Sequence, residues 1–233
     1  MNRILDAISG FFWPKRCLFC REVTGGEDFC PKCAKGVSAV EDPICPKCGG
    51  GILQCRCRER DLKYDRCVSP FYYENSIRKM LIDFKGTNKT DTARFLCGHM
   101  TRRIHHEYKN INFDLICDVP MYHKKKEQNG FNHAETLANE MSRRLKIEHT
   151  NAALKKTADV SQHTQKSETR ADRVLGLYAA GNCDITGKTI LLVDDIITTG
   201  NTLSECAKIL KQMGAKSVYC VTAAYTPFGV VKS

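Results

Sequence analysis

The stretch I190-L-L-V-D-D-I-I-T-T-G-N-T-L203 decides how this chain is read. Its uninterrupted apolar run predicts a strand covered on both faces. Two acids follow at Asp194 and Asp195, then a turn of hydroxyl residues with one glycine. Thr202, with Glu205 three residues on, has the pattern of a helix cap. A strand running through a polar turn into a helix sets free backbone N–H groups and the positive end of a helix dipole at the strand's C-terminal end. A phosphate is favourably held there. Thr198, Thr199 and Thr202 add hydroxyls, Gly200 admits close backbone approach, and Asn201 completes the turn. Asp194 and Asp195 are expected to face the rest of such a ligand, as hydroxyl acceptors or as outer partners of a bound Mg2+.

Outward from this point the texture is that of an α/β protein. FDLICDVP (113–120) and SVYCVTAA (217–224) read as further apolar strands. Ile77, Met80, Leu81 and Phe84 recur at helical spacing, as do Ala93, Leu96, Met100 and Ile104. A helix carrying Ala134, Leu137, Ala138, Met141 and Leu145 is expected to start at Asn132 as cap, with Glu135 three residues on. The helix after Thr202 carries Leu203, Ala207, Leu210 and Met213 and stops at Gly214. Strands alternating with helices predict a parallel sheet flanked by helices. A P-loop NTPase is excluded. Gly187-Lys188-Thr189 precedes a strand instead of a helix, and Asn182 stands where the first glycine of that motif belongs.

The N-terminal part is built differently. Cys17, Cys20, Cys30 and Cys33 form two CxxC knuckles, and Cys45, Cys48, Cys55 and Cys57 form a CxxC followed by CxC. Each knuckle delivers two soft donors from one tight turn, as tetrahedral zinc requires. The first set predicts a structural Zn2+ site; the second predicts another, with a disulfide bridge or a three-ligand site as alternatives. With every coordination position filled by cysteine, such a metal is scaffolding. The boundary falls in the charged stretch around residues 60–68. This gives a zinc-ribbon unit over 1–66, including an apolar N-terminal segment, and an α/β unit over 67–233. The six other cysteines are expected to be small buried hydrophobes.

Composition narrows the function classes. Of 233 residues, 42% are hydrophobic and 27% charged, an ordinary globular balance. No apolar run approaches the ~20 residues of a membrane span. Arg3 and Asp6 interrupt the opening segment, and no cleavage site follows it. A cytoplasmic chain without stable membrane insertion is expected. The formal charge is +10; two four-thiolate zinc sites, each of net charge about −2, lower it to roughly +6. A basic protein suits an anionic partner, phosphate or nucleic acid alike. Lys15, Arg16, Arg21, Lys32, Lys47, Arg56, Arg58 and Arg60 are interspersed among the cysteines.

Asp194 to Thr202 matches the acid-acid-x-x-T-T-G-x-T signature and resembles that of type I phosphoribosyltransferases. With the eight cysteines in front, the whole chain resembles the ComF family, double-zinc-ribbon phosphoribosyltransferase-like proteins associated with bacterial competence. The resemblance implies 5-phosphoribosyl 1-pyrophosphate (PRPP) with Mg2+ as ligand. Thr198–Thr202 would hold the 5-phosphate, Asp194 and Asp195 would orient the ribose 2- and 3-hydroxyls, and Asp195 would stabilise positive charge developing at the anomeric carbon. Met121, Tyr122 and His123 would hold pyrophosphate, with Lys85 and Arg170 neutralising it. Residues 157–174, which include Gln162, resemble a hood loop over the reaction. Asn129, His133 and Arg173 depart from the family's usual arginine, glutamine and asparagine, and Lys124, Lys125 and Lys126 are candidate compensating charges. The implied activity is phosphoribosyl transfer to an unidentified acceptor in DNA uptake. A non-catalytic PRPP-binding protein, with single-stranded DNA on the ribbons, and a scaffold for competence proteins are the alternatives.

Overall fold

The computed structural model describes residues 15–55, 57, 60–87, 90–122, 127, 130–157 and 176–227. The N-terminal apolar segment, His123 to Lys126, Asn129, Gln162, Arg170 and Arg173 lie outside them. A six-stranded parallel sheet organises the rest. Its strands are β1 (Arg66–Val68), β2 (Phe71–Tyr72), β3 (Leu115–Asp118), β4 (His149–Thr150), β7 (Thr189–Ile197) and β8 (Ser217–Tyr225). The order is β1-β8-β7-β3-β4, with β2 also pairing β8 beyond β1. Ile190, Leu191, Leu192 and Val193 have no exposed surface, the expected result for a strand buried on both sides.

Helices flank the sheet: α2 (Asn75–Thr87), α3 (Thr90–Glu107), α4 (His133–Leu145) and α5 (Asn201–Gln212), after a one-turn α1 (Pro31–Ala34). The predicted apolar stripes are the buried ones in α2 and α3. Asn132 caps α4 as expected, its Oδ1 accepting the Ala134 N–H at 3.2 Å. Glu135 does not complete a box; it accepts from Asn151 Nδ2 at 2.9 Å. Thr202 is not the cap of α5. Gly200 is, in the left-handed conformation at φ 79°, and the Thr202 side chain meets the Tyr178 phenol instead. A separate antiparallel pair, β5 (Leu154–Lys156) and β6 (Tyr178–Ala180), brackets the expected hood segment.

The cysteine-rich part is docked along the β1–β2 edge. Val40 N–H donates to Pro70 O at 2.9 Å, Tyr72 N–H to Ser38 O at 2.9 Å, and Cys67 N–H to Lys47 O at 3.1 Å. This covers strand edges that would otherwise pair with other chains. Val40, Ile44, Cys45, Cys48 and Cys57 join the same buried cluster as the sheet.

The contact is close enough to test. Gly49 sits at φ +74°, and a Cβ there would lie 2.6 Å from Cys67 O and 2.8 Å from Val68 Cα. Gly187 has a similar φ of +72° with nothing within 4 Å. Gly187→Ala is expected to cost about 1 kcal/mol for the backbone conformation alone. Gly49→Ala should cost about 2–4 kcal/mol, because docking is also strained. Thermal melting of the two variants checks this, and equal losses would contradict the docking.

Candidate functional site

The strand order creates the site. From β3 the chain passes through α4 to β4 on one side, and from β7 through α5 to β8 on the other. Neighbouring parallel strands whose connections diverge leave a crevice at their C-terminal ends, where open α/β sheets bind ligands. The register pairs Asp118 with Val193, and Val119 N–H donates to Val193 O at 3.0 Å. The loop after β3 therefore starts beside the acids of β7. Of the residues expected to hold pyrophosphate, Met121 is half-buried and Tyr122 buried in that loop.

On the β7 side the turn runs from Thr198 to Gly200 into α5. Thr198, Thr199, Asn201 and Thr202 are half-buried and Gly200 is buried. Gly200, in the left-handed conformation, is the residue from which α5 starts. First-turn amides have no intrahelical carbonyl. Asn201 N–H is 3.4 Å from Thr199 Oγ1.

The two acids are not equivalent. Asp195 is met by Lys85 Nζ from the last turn of α2 at 2.7 Å. Burial works against the charge of Lys85, but Asp195, with Asp194 behind it, outweighs burial and holds its pKa up. Asp194 Oδ1 accepts the Asp195 N–H at 2.8 Å. Burial first, then the neighbouring Asp195 charge, push the Asp194 carboxyl well above the usual carboxylate range. Two like charges on consecutive residues in a desolvated crevice resist simultaneous ionisation. A cationic or hydroxyl-bearing ligand would relieve that.

Two further groups border the crevice, Asp118, which no sequence motif marks, and His133, which the sequence marks only as a departure from the family's usual glutamine. Asp118, at the end of β3, accepts from Asn132 Nδ2 at 2.8 Å and from His149 Nε2 at 2.8 Å. This ties the start of the β3 loop to the cap of α4 and to β4. His133 is buried, and its Nδ1 has no partner among the described residues. Burial, aided by the Lys85 charge, lowers its pKa against the opposing pull of Asp195.

The cysteine sets each converge. In both, the four Sγ atoms lie within 4.8 Å of one another. Tetrahedral zinc with Zn–S bonds of about 2.3 Å needs sulfurs about 3.8 Å apart. Cys20 and Cys30 are 3.6 Å apart, Cys45 and Cys57 3.5 Å, and Cys48 and Cys55 3.5 Å. All fourteen cysteines are free thiols, so the bridge alternative for the second set falls away. Burial opposes ionisation of Cys17, but the amides of Cys30, Cys20 and Phe19 outweigh it and draw the thiol down to about 6. Cys20 is pushed up to about 12: burial and the neighbouring thiols overcome the Glu22 amide that lowers it. A dication is what lets the remaining sulfurs ionise beside the first. Both clusters fit structural zinc.

A double zinc ribbon family model matches residues 8–68, and a phosphoribosyl transferase family model matches residues 132–232. The chain is 26% identical to Competence protein F of Haemophilus influenzae over 222 residues, 89% of this chain and 95% of that protein. It is 24% identical to DNA utilization protein YhgH of Escherichia coli over 207 residues, 87% and 86% of the two chains. A purine phosphoribosyltransferase structure from Pyrococcus horikoshii overlays with a TM-score of 0.39 at 18% identity, covering 59% of this chain and 78% of that one. The two family models and the two relatives bear out the resemblance read from the sequence.

The raised Asp194 pKa has a thermodynamic consequence. The unfolded chain releases this proton near 3.8 while the folded chain retains it. Stability attributable to Asp194 is therefore lost as pH rises through and above that value. Asp194→Asn keeps the acceptor for the Asp195 amide and removes the titration. Its melting temperature should rise relative to wild type as pH is raised from 4 to 7; a constant difference would refute the assignment.

Proposed function

From the premise that the chain is a homologue of Competence protein F, joining a double zinc ribbon to a phosphoribosyl transferase domain, we propose that it binds PRPP at the β3–β7 crevice and transfers the phosphoribosyl group to an acceptor. One observation carries this reading: the Thr198–Thr202 turn and the Val119–Tyr122 loop flank the same divergent strand pair. The turn's amides and hydroxyls hold the 5-phosphate at the positive end of α5. Asp194 and Asp195 accept from the ribose hydroxyls. A carboxylate there also stabilises positive charge developing at the anomeric carbon as the C1–O bond to pyrophosphate breaks. Lys85, released from Asp195 as a hydroxyl takes its place, is the cation next to the leaving group. Mg2+, when bound with pyrophosphate, supplies charge neutralisation, and the carboxylate oxygens of the crevice are donors suited to such a hard ion.

Calorimetry with PRPP and Mg2+ tests the reading. Wild type is expected to bind, and Asp194→Asn with Asp195→Asn should lose at least about 100-fold in affinity while staying folded. Unchanged heats would overturn the pocket assignment. Pyrophosphate release on addition of an acceptor then separates transfer from binding alone.

A second reading, single-stranded DNA binding, is favoured by a groove elsewhere. A cavity of about 900 Å3 between the first ribbon and α3 is lined by Lys15, Arg16, Arg21, Arg94, Arg102 and Arg144, against Asp28 and Asp91. Phe95 is buried there against Phe29 and Phe71, so it offers no stacking platform. Binding through this groove is electrostatic and should fall steeply with salt. Arg94→Gln with Arg102→Gln should shallow the slope of log K against log salt by about 1.4, at about 0.7 per single-strand contact. An unchanged slope would remove the groove from consideration.

A further inference from the structure

Residues 60–64, just beyond the second cysteine set, run onto the Thr198–Thr202 turn. Arg60 N–H donates to Cys57 O at 3.0 Å, so the segment starts on the metal cluster itself. Arg60 Nη1 then donates to Thr199 O at 2.6 Å. Lys63 N–H donates to Ser204 Oγ in the first turn of α5 at 2.9 Å. Leu62 and Tyr64 are buried beneath Gly200, where a Cβ would lie 2.8 Å from the Tyr64 hydroxyl and 3.3 Å from Leu62 Cδ2. The Tyr64 hydroxyl is fully buried and has no partner among the described residues.

The zinc knuckle holds the same segment from its other end. Lys47, between Cys45 and Cys48, donates to Tyr64 O and lies 5.3 Å from the centre of its ring. Beyond Tyr64, Asp65 Oδ2 accepts Val218 N–H at 2.7 Å and Asp65 Oδ1 meets Lys211 Nζ of α5 at 2.9 Å. The segment is thus fixed to the cysteine cluster, to both sides of the turn and to the far end of α5. A simple tether between two units needs none of these contacts with the turn.

We propose that Arg60–Tyr64 is a strap through which zinc at Cys45, Cys48, Cys55 and Cys57 positions the Thr198–Thr202 turn, so that loading of the second ribbon sets affinity for a phosphorylated ligand. The proposal rests on the phosphate reading of that turn. An amide cradle acts only when its carbonyls are held out of the way, and Arg60 holds the carbonyl of Thr199. Residues 60–64 have little regular structure of their own, and the metal fixes where they start. Arg60 is a positioning residue. Because coupling between two binding equilibria is reciprocal, ligand at the turn must also strengthen retention of that zinc.

The test uses the full-length, zinc-loaded protein. Arg60→Ala should keep two zinc ions per chain and an unchanged melting temperature. Its amides at 200–204 should exchange hydrogen about tenfold faster, and PRPP affinity should fall about tenfold. Arg60→Lys should recover part of both. In wild type, PRPP should slow zinc transfer to a colorimetric chelator. Unchanged exchange and affinity in Arg60→Ala would overturn the strap, as would zinc release indifferent to bound PRPP. If wild type binds no PRPP, the phosphate reading has failed, and the exchange rates of Arg60→Ala alone decide whether the strap holds the turn.

Discussion

The parallel pairing of β3 with β7 is the constraint on which the ligand end depends. Each strand alone is an apolar run that needs cover on both faces, and each acquires it from helices that leave in opposite directions. The divergence leaves the two C-terminal ends without a crossover above them. Strand ends expose backbone amides and short polar loops, so chemistry concentrates there. A register slip of one residue would turn every side chain of β7 to the opposite face. The crevice and the core are thus specified by the same set of hydrogen bonds.

Within that crevice the charges are arranged at a cost to stability. Asp194 is desolvated beside a second carboxylate, and His133 is buried with a nitrogen unpartnered among the described residues. Groups placed so are poor structural elements, and the Lys85 ion pair offsets only part of the cost. Such local conflict with stability is characteristic of sites built for a ligand. The Asp118 carboxylate, in contrast, is paired on both oxygens, by Asn132 and by His149.

Much of this was legible because it is local. The β7 apolar run, the acids, the turn and the cysteine knuckles are contiguous signals, and the helical stripes of α2 and α3 follow from periodicity. The Thr202 cap failed because the left-handed Gly200 starts the helix two residues earlier and frees the Thr202 side chain for Tyr178. The second half of the expected Asn132 box failed because Asn151, which no pattern places nearby, takes Glu135. Strands β4, β5 and β6 are two or three residues long, too short to show alternation. Residues 60–68 read as a charged boundary, yet Arg60 reaches Thr199 across 139 positions of sequence. Contacts of that kind come from topology, which composition and spacing do not encode.

Everything proposed for the ligand end turns on whether the turn between β7 and α5 cradles an anion. Amide chemical shifts of labelled protein titrated with ribose 5-phosphate read this directly, without Mg2+ or an acceptor. Saturable shifts are expected, largest at Thr199 to Leu203, with the first-ribbon groove unmoved. Shifts confined to the basic groove, or none at the turn at saturating sugar phosphate, would contradict the cradle.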